Sequence, residues 1–226
     1  MTSKLFGKRN GIDGGNGYAP EMYTQKEMKT VDKYINETFG ECPTVFHEIV
    51  SPDIHVDICI IPPGADRSFY TLVTMGMGAH RMNVPEELKE FKLERAELLI
   101  TLPSDWRIQD QDERWYWPIR LLKSAARLPI ACDTWLGWGH TVDNAQPYAD
   151  NTGLCGALLI DPMVGSGNCC KLSHNVEVNF YQLLPLYRDE MEYKIKNGAE
   201  ELLDLLSEIS FVVDITRPDM TKGKQE

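Results

Sequence analysis

No apolar run in the 226 residues approaches the ~20 that cross a bilayer, so no membrane-spanning helix is expected. The opening MTSKLFGKRNGIDGGNG has no hydrophobic core of a signal peptide. The six cysteines (Cys42, Cys59, Cys132, Cys155, Cys169 and Cys170) contain no C-x-x-C pair and are too irregular for a secreted disulfide framework. Together these absences lead us to expect a reduced, cytoplasmic protein. Basic residues are also in deficit: 23 Lys and Arg face 34 Asp and Glu, for a net charge of −11. Nucleic acid is therefore not an expected partner, since phosphate binding needs clustered cations. The motifs G-x-x-x-x-G-K-[ST], G-x-G-x-x-G after a strand, G-x-S-x-G and H-E-x-x-H are all missing. None of His47, His55, His80, His140 and His174 is paired at the i, i+4 spacing of a helical metal site. What remains is an ordinary globule, 42% hydrophobic and 25% charged, long enough to bury a core without staples.

Residues 1–20 are glycine-rich and read as a flexible leader. A helix follows, capped by Thr24 with Glu27 three residues on, and striped by Met28, Val31, Ile35 and Phe39 until Gly40 stops it. Strands are predicted at 44–50 and 53–61. The second alternates, with Ile54, Val56, Ile58 and Ile60 on one face and His55, Asp57 and Cys59 on the other, so His55 and Asp57 are expected on a solvated face. Strands at 68–77 and 94–102 carry bulky groups on both faces and read as covered on both sides. Between them Pro85 opens a short helix through about Phe91. Trp115 and Trp117 precede a helix opened by Pro118, with Ile119, Leu122 and Ala126 inward and Arg120, Lys123 and Arg127 outward, ending at Pro129. Further on come short strands at 156–160 and 175–181, a helix from Pro185 to about Lys196, another at 199–209, and a last strand candidate at 211–215. Adjacent strands with short links argue for antiparallel pairing. The expected fold is α+β: one mixed, mostly antiparallel sheet with helices packed on it. It forms a single domain over 21–218, with a flexible tail at 219–226.

The stretch 128–163, LPIACDTWLGWGHTVDNAQPYADNTGLCGALLIDPM, is the organising feature. A long loop dense in Trp, Asp and Asn is more often a functional surface than a connector. Its bland alternative is that Trp135 and Trp138 anchor the core while the Asp and Asn side chains make turns. His140, Asp143 and Asp150, with Cys132, offer a hydrolase or metal-dependent enzyme as a competing assignment. Zinc would accept Cys132, Asp133, His140 and Cys155, but no spacing enforces it, and free cysteine is commonly a small core residue. No catalytic residue, metal or cofactor is assigned.

Five runs carry a resemblance: TLVTMGMGAHRMNVPEE (71–87), ERAELLITLPSDW (94–106), WPIRLLKSAARLP (117–129), TWLGWGHTVDNAQPYADNTGLCGALLIDP (134–162) and LLPLYRDEMEYKIKNGAEELLDLL (183–206). In order and joint presence they resemble the suppressor-of-fused-like domain family, in its bacterial stand-alone form, over roughly 46–218. The resemblance implies a binding protein without a known reaction. The animal member holds a Hedgehog-pathway transcription factor through an extended segment that adds as a strand between two domains; this chain is similar to the N-terminal one. An aspartate of that groove falls near Thr134, next to Asp133. Bacterial relatives are proposed as immunity proteins that neutralise toxins of polymorphic secretion systems, and an acidic inhibitor of a basic toxin suits the −11 charge.

The resulting expectation is a protein-binding module, an immunity-type inhibitor, acting through a groove or sheet edge near 128–163. Trp135, Trp138 and Tyr148 would wall the pocket, Asp133, Asp143 and Asp150 would rim it, and Thr134 and His140 would complete the surface.

Overall fold

A computed structural model describes residues 19–222 apart from 66 and 174. Among these, eight strands form one sheet in the order β1-β2-β3-β4-β8-β6-β5, with β7 also paired to β8. The strands are β1 (Thr44–Phe46), β2 (Asp57–Ile61), β3 (Phe69–Met75), β4 (Ala96–Pro103), β5 (Thr141–Asp143), β6 (Gly156–Ile160), β7 (Cys169–Ser173) and β8 (Val176–Leu186). Every pairing is antiparallel except β4 with β8, where Ala96–Leu99 run parallel to Asn179–Gln182. The expected mixed, mostly antiparallel sheet is what the chain forms.

Helices cover both faces. α1 (Gln25–Phe39) begins with the expected capping box: Glu27 N–H donates to Thr24 Oγ1 and Thr24 N–H donates to Glu27 Oε2. It buries Val31, Ile35 and Phe39 against Cys59, Val73, Leu99, Val178 and Phe180. Each such side chain contributes about 1.5–3 kcal/mol by leaving water. α2 (Glu113–Cys132) packs Trp117, Leu121, Leu122, Ala125 and Ala126 on the other face, against Ile58, Leu72, Leu98, Ile100 and Leu159. α3 (Arg188–Asn197) and α4 (Ala199–Leu205) close a third cluster with Leu158, Ile160, Leu184 and Leu186.

Buried polar groups lock these layers in place. Glu97 is fully buried on β4 and accepts four hydrogen bonds: from Tyr23 Oη at 2.7 Å, Thr74 Oγ1 at 2.6 Å, and the N–H groups of Gly76 and Gly78 at 2.9 and 3.1 Å. The turn has to be glycine, because a Cβ on Gly76 would lie 2.0 Å from the His55 carbonyl and one on Gly78 2.1 Å from Tyr23 Oη. Burial raises the Glu97 pKa against the pull of its donors. At the other end, Glu190 and Arg217 form a buried two-armed ion pair at 2.6 and 2.5 Å. Arg217 also donates to the carbonyls of Pro185 and Pro218 and lies over the Tyr187 ring at 4.9 Å.

Several expectations are corrected. The strand predicted at 44–50 stops at Phe46, and the one at 53–61 is regular only from Asp57. His55 and Asp57 are buried rather than solvated. α2 starts at Glu113, capped by Asp112, and runs through both prolines to Cys132. The carbonyl of Arg114, which the Pro118 nitrogen cannot serve, faces Asn151 Nδ2 at 3.5 Å. Pro129 lies in the last turn, where its carbonyl takes the N–H of Asp133 and Thr134. Arg127 is not outward: it binds Glu48 and Asp53. Pro185 belongs to β8, beyond the residues that pair with β4, so no ladder bond is lost there; α3 starts only at Arg188. α4 ends at Leu205, residues 211–215 form no strand, and β5 and β7 appear unexpectedly. The expected tail is anchored through Lys222, with Asp219 and Thr221 buried and the Met220 N–H on Glu190. Residues 1–18 of the expected leader and 223–226 of the tail lie outside the described residues, as does His174.

Two stability measurements test this account. Arg217→Ala strands a buried carboxylate and is expected to cost roughly 3–5 kcal/mol in urea unfolding, more than the paired apolar replacement Arg217→Met with Glu190→Leu. For Glu97, the raised folded-state pKa means its contribution is fully present below the ordinary carboxylate pKa of about 4.3 and is lost as pH rises through the folded value. Glu97→Gln, which cannot titrate, is therefore expected to gain stability relative to the parent as pH rises above about 4.3. Parallel pH profiles would contradict it.

Candidate protein-binding face

The stretch 128–163 contributes the last turn of α2, the edge strand β5, the strand β6 and the loops between them. The structure divides the expected site residues into groups. Asp133 caps α2 in the left-handed region (φ 47°) and accepts from Asn83 Nδ2 at 3.2 Å. Thr134 pairs its carbonyl with the Asn83 N–H at 3.2 Å. Trp135 is half-buried against the α2-side core, its ring 4.3 Å from the His140 ring. Burial lowers the His140 pKa, which keeps the imidazole neutral. Tyr148 is buried and stacked on Trp117, with centroids 4.7 Å apart and planes 7° off parallel. Its hydroxyl has no partner among the described residues. Asp143 is held by both arms of Arg188 at 2.7 and 2.8 Å, and that bond holds its carboxyl below the ordinary range. Asp150 is exposed and acts on Arg114 only through its field.

No hydrogen bond among the described residues links His140, Asp143 and Asp150, and no group of three or more His, Cys, Asp or Glu is placed to hold a metal. Only Trp138, 41% exposed, faces an open hollow. That hollow has a volume of about 280 Å³ and is walled by Trp138, Ile160, Met163, Leu184, Leu206 and Phe211. Met163 is itself 61% exposed. The face lies beside β5, which ends the sheet with one ladder side unpaired by any strand.

Two features go beyond the sequence reading, the second built on its His55/Asp57 pair. Phe46, Ile49 and Val50 are exposed beside the opposite edge strand β1, next to a groove of about 540 Å³ lined by Val45, Ile108 and Tyr116. The apolar letters at 49 and 50 read as strand, and nothing local shows them leaving the sheet. The second is a polar cluster. His55 Nε2 lies 3.0 Å from Asp57 Oδ1, and His55 Nδ1 lies 2.8 Å from Ser51 Oγ, the order of an acyl-transfer triad. However, Ser51 Oγ also donates to Glu48 Oε2 at 2.9 Å. With its hydrogen directed at that carboxylate, the hydroxyl is not donating to His55, which a triad base requires. With Arg127 Nη2 donating to both Glu48 oxygens at 2.7 Å, the cluster pins the 47–56 loop to α2.

Residues 52–218 match the family described as Suppressor of fused protein (SUFU). An uncharacterized protein of Ureaplasma parvum serovar 3 is 25% identical over 204 residues, 88% of this chain and 98% of the relative. Among solved structures, a SUFU homologue from Neisseria gonorrhoeae aligns with TM-score 0.59 at 18% identity, over 88% of this chain and 96% of that one. A chain of a Sufu–Fu complex aligns with TM-score 0.61 at 16% identity, over 90% and 94%. Drosophila Suppressor of Fused aligns with TM-score 0.54 at 16% identity, over 74% of this chain and 43% of that longer one. At these identities the structures establish a shared fold. No helix among the described residues is long and apolar enough to cross a membrane.

The division of the aromatics is measurable. Tyr148→Ala is expected to cost about 3–5 kcal/mol, like other buried aromatic truncations. Tyr148→Phe removes a buried, unpartnered hydroxyl and is expected to raise stability by roughly 1 kcal/mol. Trp138→Ala should change unfolding by less than about 1 kcal/mol. A large loss at Trp138 would make it a core residue instead.

Proposed function

This chain belongs to the suppressor-of-fused family, and from that premise we propose that it is a non-enzymatic protein-binding module. Its binding face is the region around Trp138 and Met163 beside the terminal strand β5. The observation that carries the reading is the pair of large apolar side chains, 41% and 61% exposed, over an apolar hollow. Water-facing groups of this kind are stabilised by a partner's surface, and aromatic anchors set in pockets supply most of the binding energy in protein interfaces. The Sufu–Fu complex supports the same reading, because a chain of this fold there forms a complex with another protein. Of the expected site residues, Trp138 is the anchor; Asp133, Thr134, Trp135, His140 and Asp143 hold the surrounding loops, Tyr148 supports them from the core, and Asp150 stands at the rim.

The finer reading is an immunity-type inhibitor whose partner is a toxin. The net charge of −11 supports it, since an acidic inhibitor is steered to a basic target and repels acidic bystanders. A hydrolytic reading has little to rest on, with Asp143 neutralised by Arg188 and His140 committed to Trp135.

Affinity capture of the tagged chain from its own cells, followed by reconstitution with the purified partner, tests the proposal. Trp138→Ala is expected to weaken that partner at least tenfold (about 1.4 kcal/mol) by calorimetry, with the fold intact. Expression of the partner alone should arrest growth and co-expression of this chain should restore it. Affinity unchanged by Trp138→Ala would remove the face, and a harmless partner would remove the immunity role.

A further inference from the structure

The Trp138 hollow does not end at Met163. A second hollow of about 490 Å³, lined by Glu37, Phe39, Gly40, Arg67, Phe69 and Val164 among others, shares both Met163 and Phe211 with the first. The exposed Met163 side chain thus stands as a ridge between the two. The walls are rigid. Gln182, fully buried on β8, accepts from the Met163 N–H at 2.9 Å and donates to the Phe211 carbonyl at 3.1 Å. Thr101 Oγ1 donates to the same carbonyl at 2.5 Å, and the Phe211 ring meets Phe69 edge-on at 5.5 Å. One buried amide thus spaces both ridge residues, and the trough needs little reorganisation to be filled.

Its surroundings are mainly acidic. From Asn197 to Thr216 the chain carries Glu200, Glu201, Asp204, Glu208 and Asp214 and no Lys or Arg. Asp161 is the one charged residue lining the first hollow, and Glu37 stands exposed at the second. At the second hollow Arg67 donates to the Phe39 carbonyl and keeps its charge, and Lys33 pairs with Glu37 at 3.6 Å, so the carboxylate excess lies on the side of the first hollow. At the first hollow, an apolar floor beside Asp161 and the acidic 197–216 segment matches apolar side chains flanked by cations. A central ridge with a hollow on either side matches extended backbone, whose alternate side chains stand about 7 Å apart on one face.

Resting on the protein-binding reading above, we propose that this trough receives an extended segment of the partner in which large apolar residues alternate with Lys or Arg. A random dodecapeptide display library panned on the immobilised full chain tests it, with recovered sequences resynthesised and titrated by fluorescence anisotropy. Recovered peptides are expected to carry apolar residues beside Lys or Arg and to lose affinity as salt is raised. Met163→Glu should weaken them at least tenfold, and Asp204→Lys with Glu208→Lys severalfold, at unchanged unfolding midpoints. No recovered peptide, acidic peptides, or peptides indifferent to Met163→Glu would overturn the proposal. So would self-association abolished by Met163→Glu, since the trough would then seat a second copy. If the peptides fail while the cellular partner still depends on Trp138, only the trough chemistry falls; if that partner ignores both residues, the binding face itself falls.

Discussion

The parallel register between β4 and β8 is the constraint on which the rest of the structure depends. The N-terminal strands β1 to β4 form one antiparallel run, and β5, β6 and β8 form another. Neither closes a core alone. They become one sheet only where Ala96–Leu99 meet Asn179–Gln182, more than 80 positions apart in the chain. Leu98 and Leu99 at that seam face opposite helical layers, so a slip of one residue would exchange the two cores. The buried polar groups sit on these same strands. Glu97 ties β4 to β3 and to the start of α1, and Gln182 ties β8 to Thr101 on β4. A buried polar group left unpaired is costly, so these bonds select one register where apolar packing alone would tolerate several.

The candidate binding face follows from that seam. Gln182 is the last β8 residue paired with β4, and beyond it β8 is bonded on that side by the returning C-terminal segment. Phe211 and Met163 stand past the β4–β8 pairing, Phe211 half-covered by Phe69 and Met163 largely open to water. The buried Glu190–Arg217 pair holds the returning segment against α3 and so fixes where Phe211 stands. The open apolar surface is thus a product of a rigid scaffold.

Elements with a local signature were legible in the sequence. The capping box at Thr24, the 3–4 stripe of α1, the doubly apolar β4 and the apolar run of β6 each carry their own periodicity, and each forms near its expected place. Elements made by a distant neighbour were not. β5 and β7 are strands because β6 and β8 supply their ladders. Pro185 looks like a helix start, yet lies in a strand, beyond the residues that pair with β4. Pro129 looks like a stop, yet the helix runs one turn past it to Cys132. At the site, the indoles of 128–163 drew attention as a group, yet of the two only Trp138 lines the hollow, while Met163 and Phe211 carried no signal that would have paired them.

The sequence by itself determined the class of fold, the chain's acidic character and the family, because periodicity, charge count and ordered motifs are local or additive properties. Which tryptophan stays in water, which carboxylates are neutralised and where two hollows merge were decided by tertiary structure alone. Those outcomes depend on which side chains from distant segments arrive at the same place, and burial and pairing energies exist only once they have arrived.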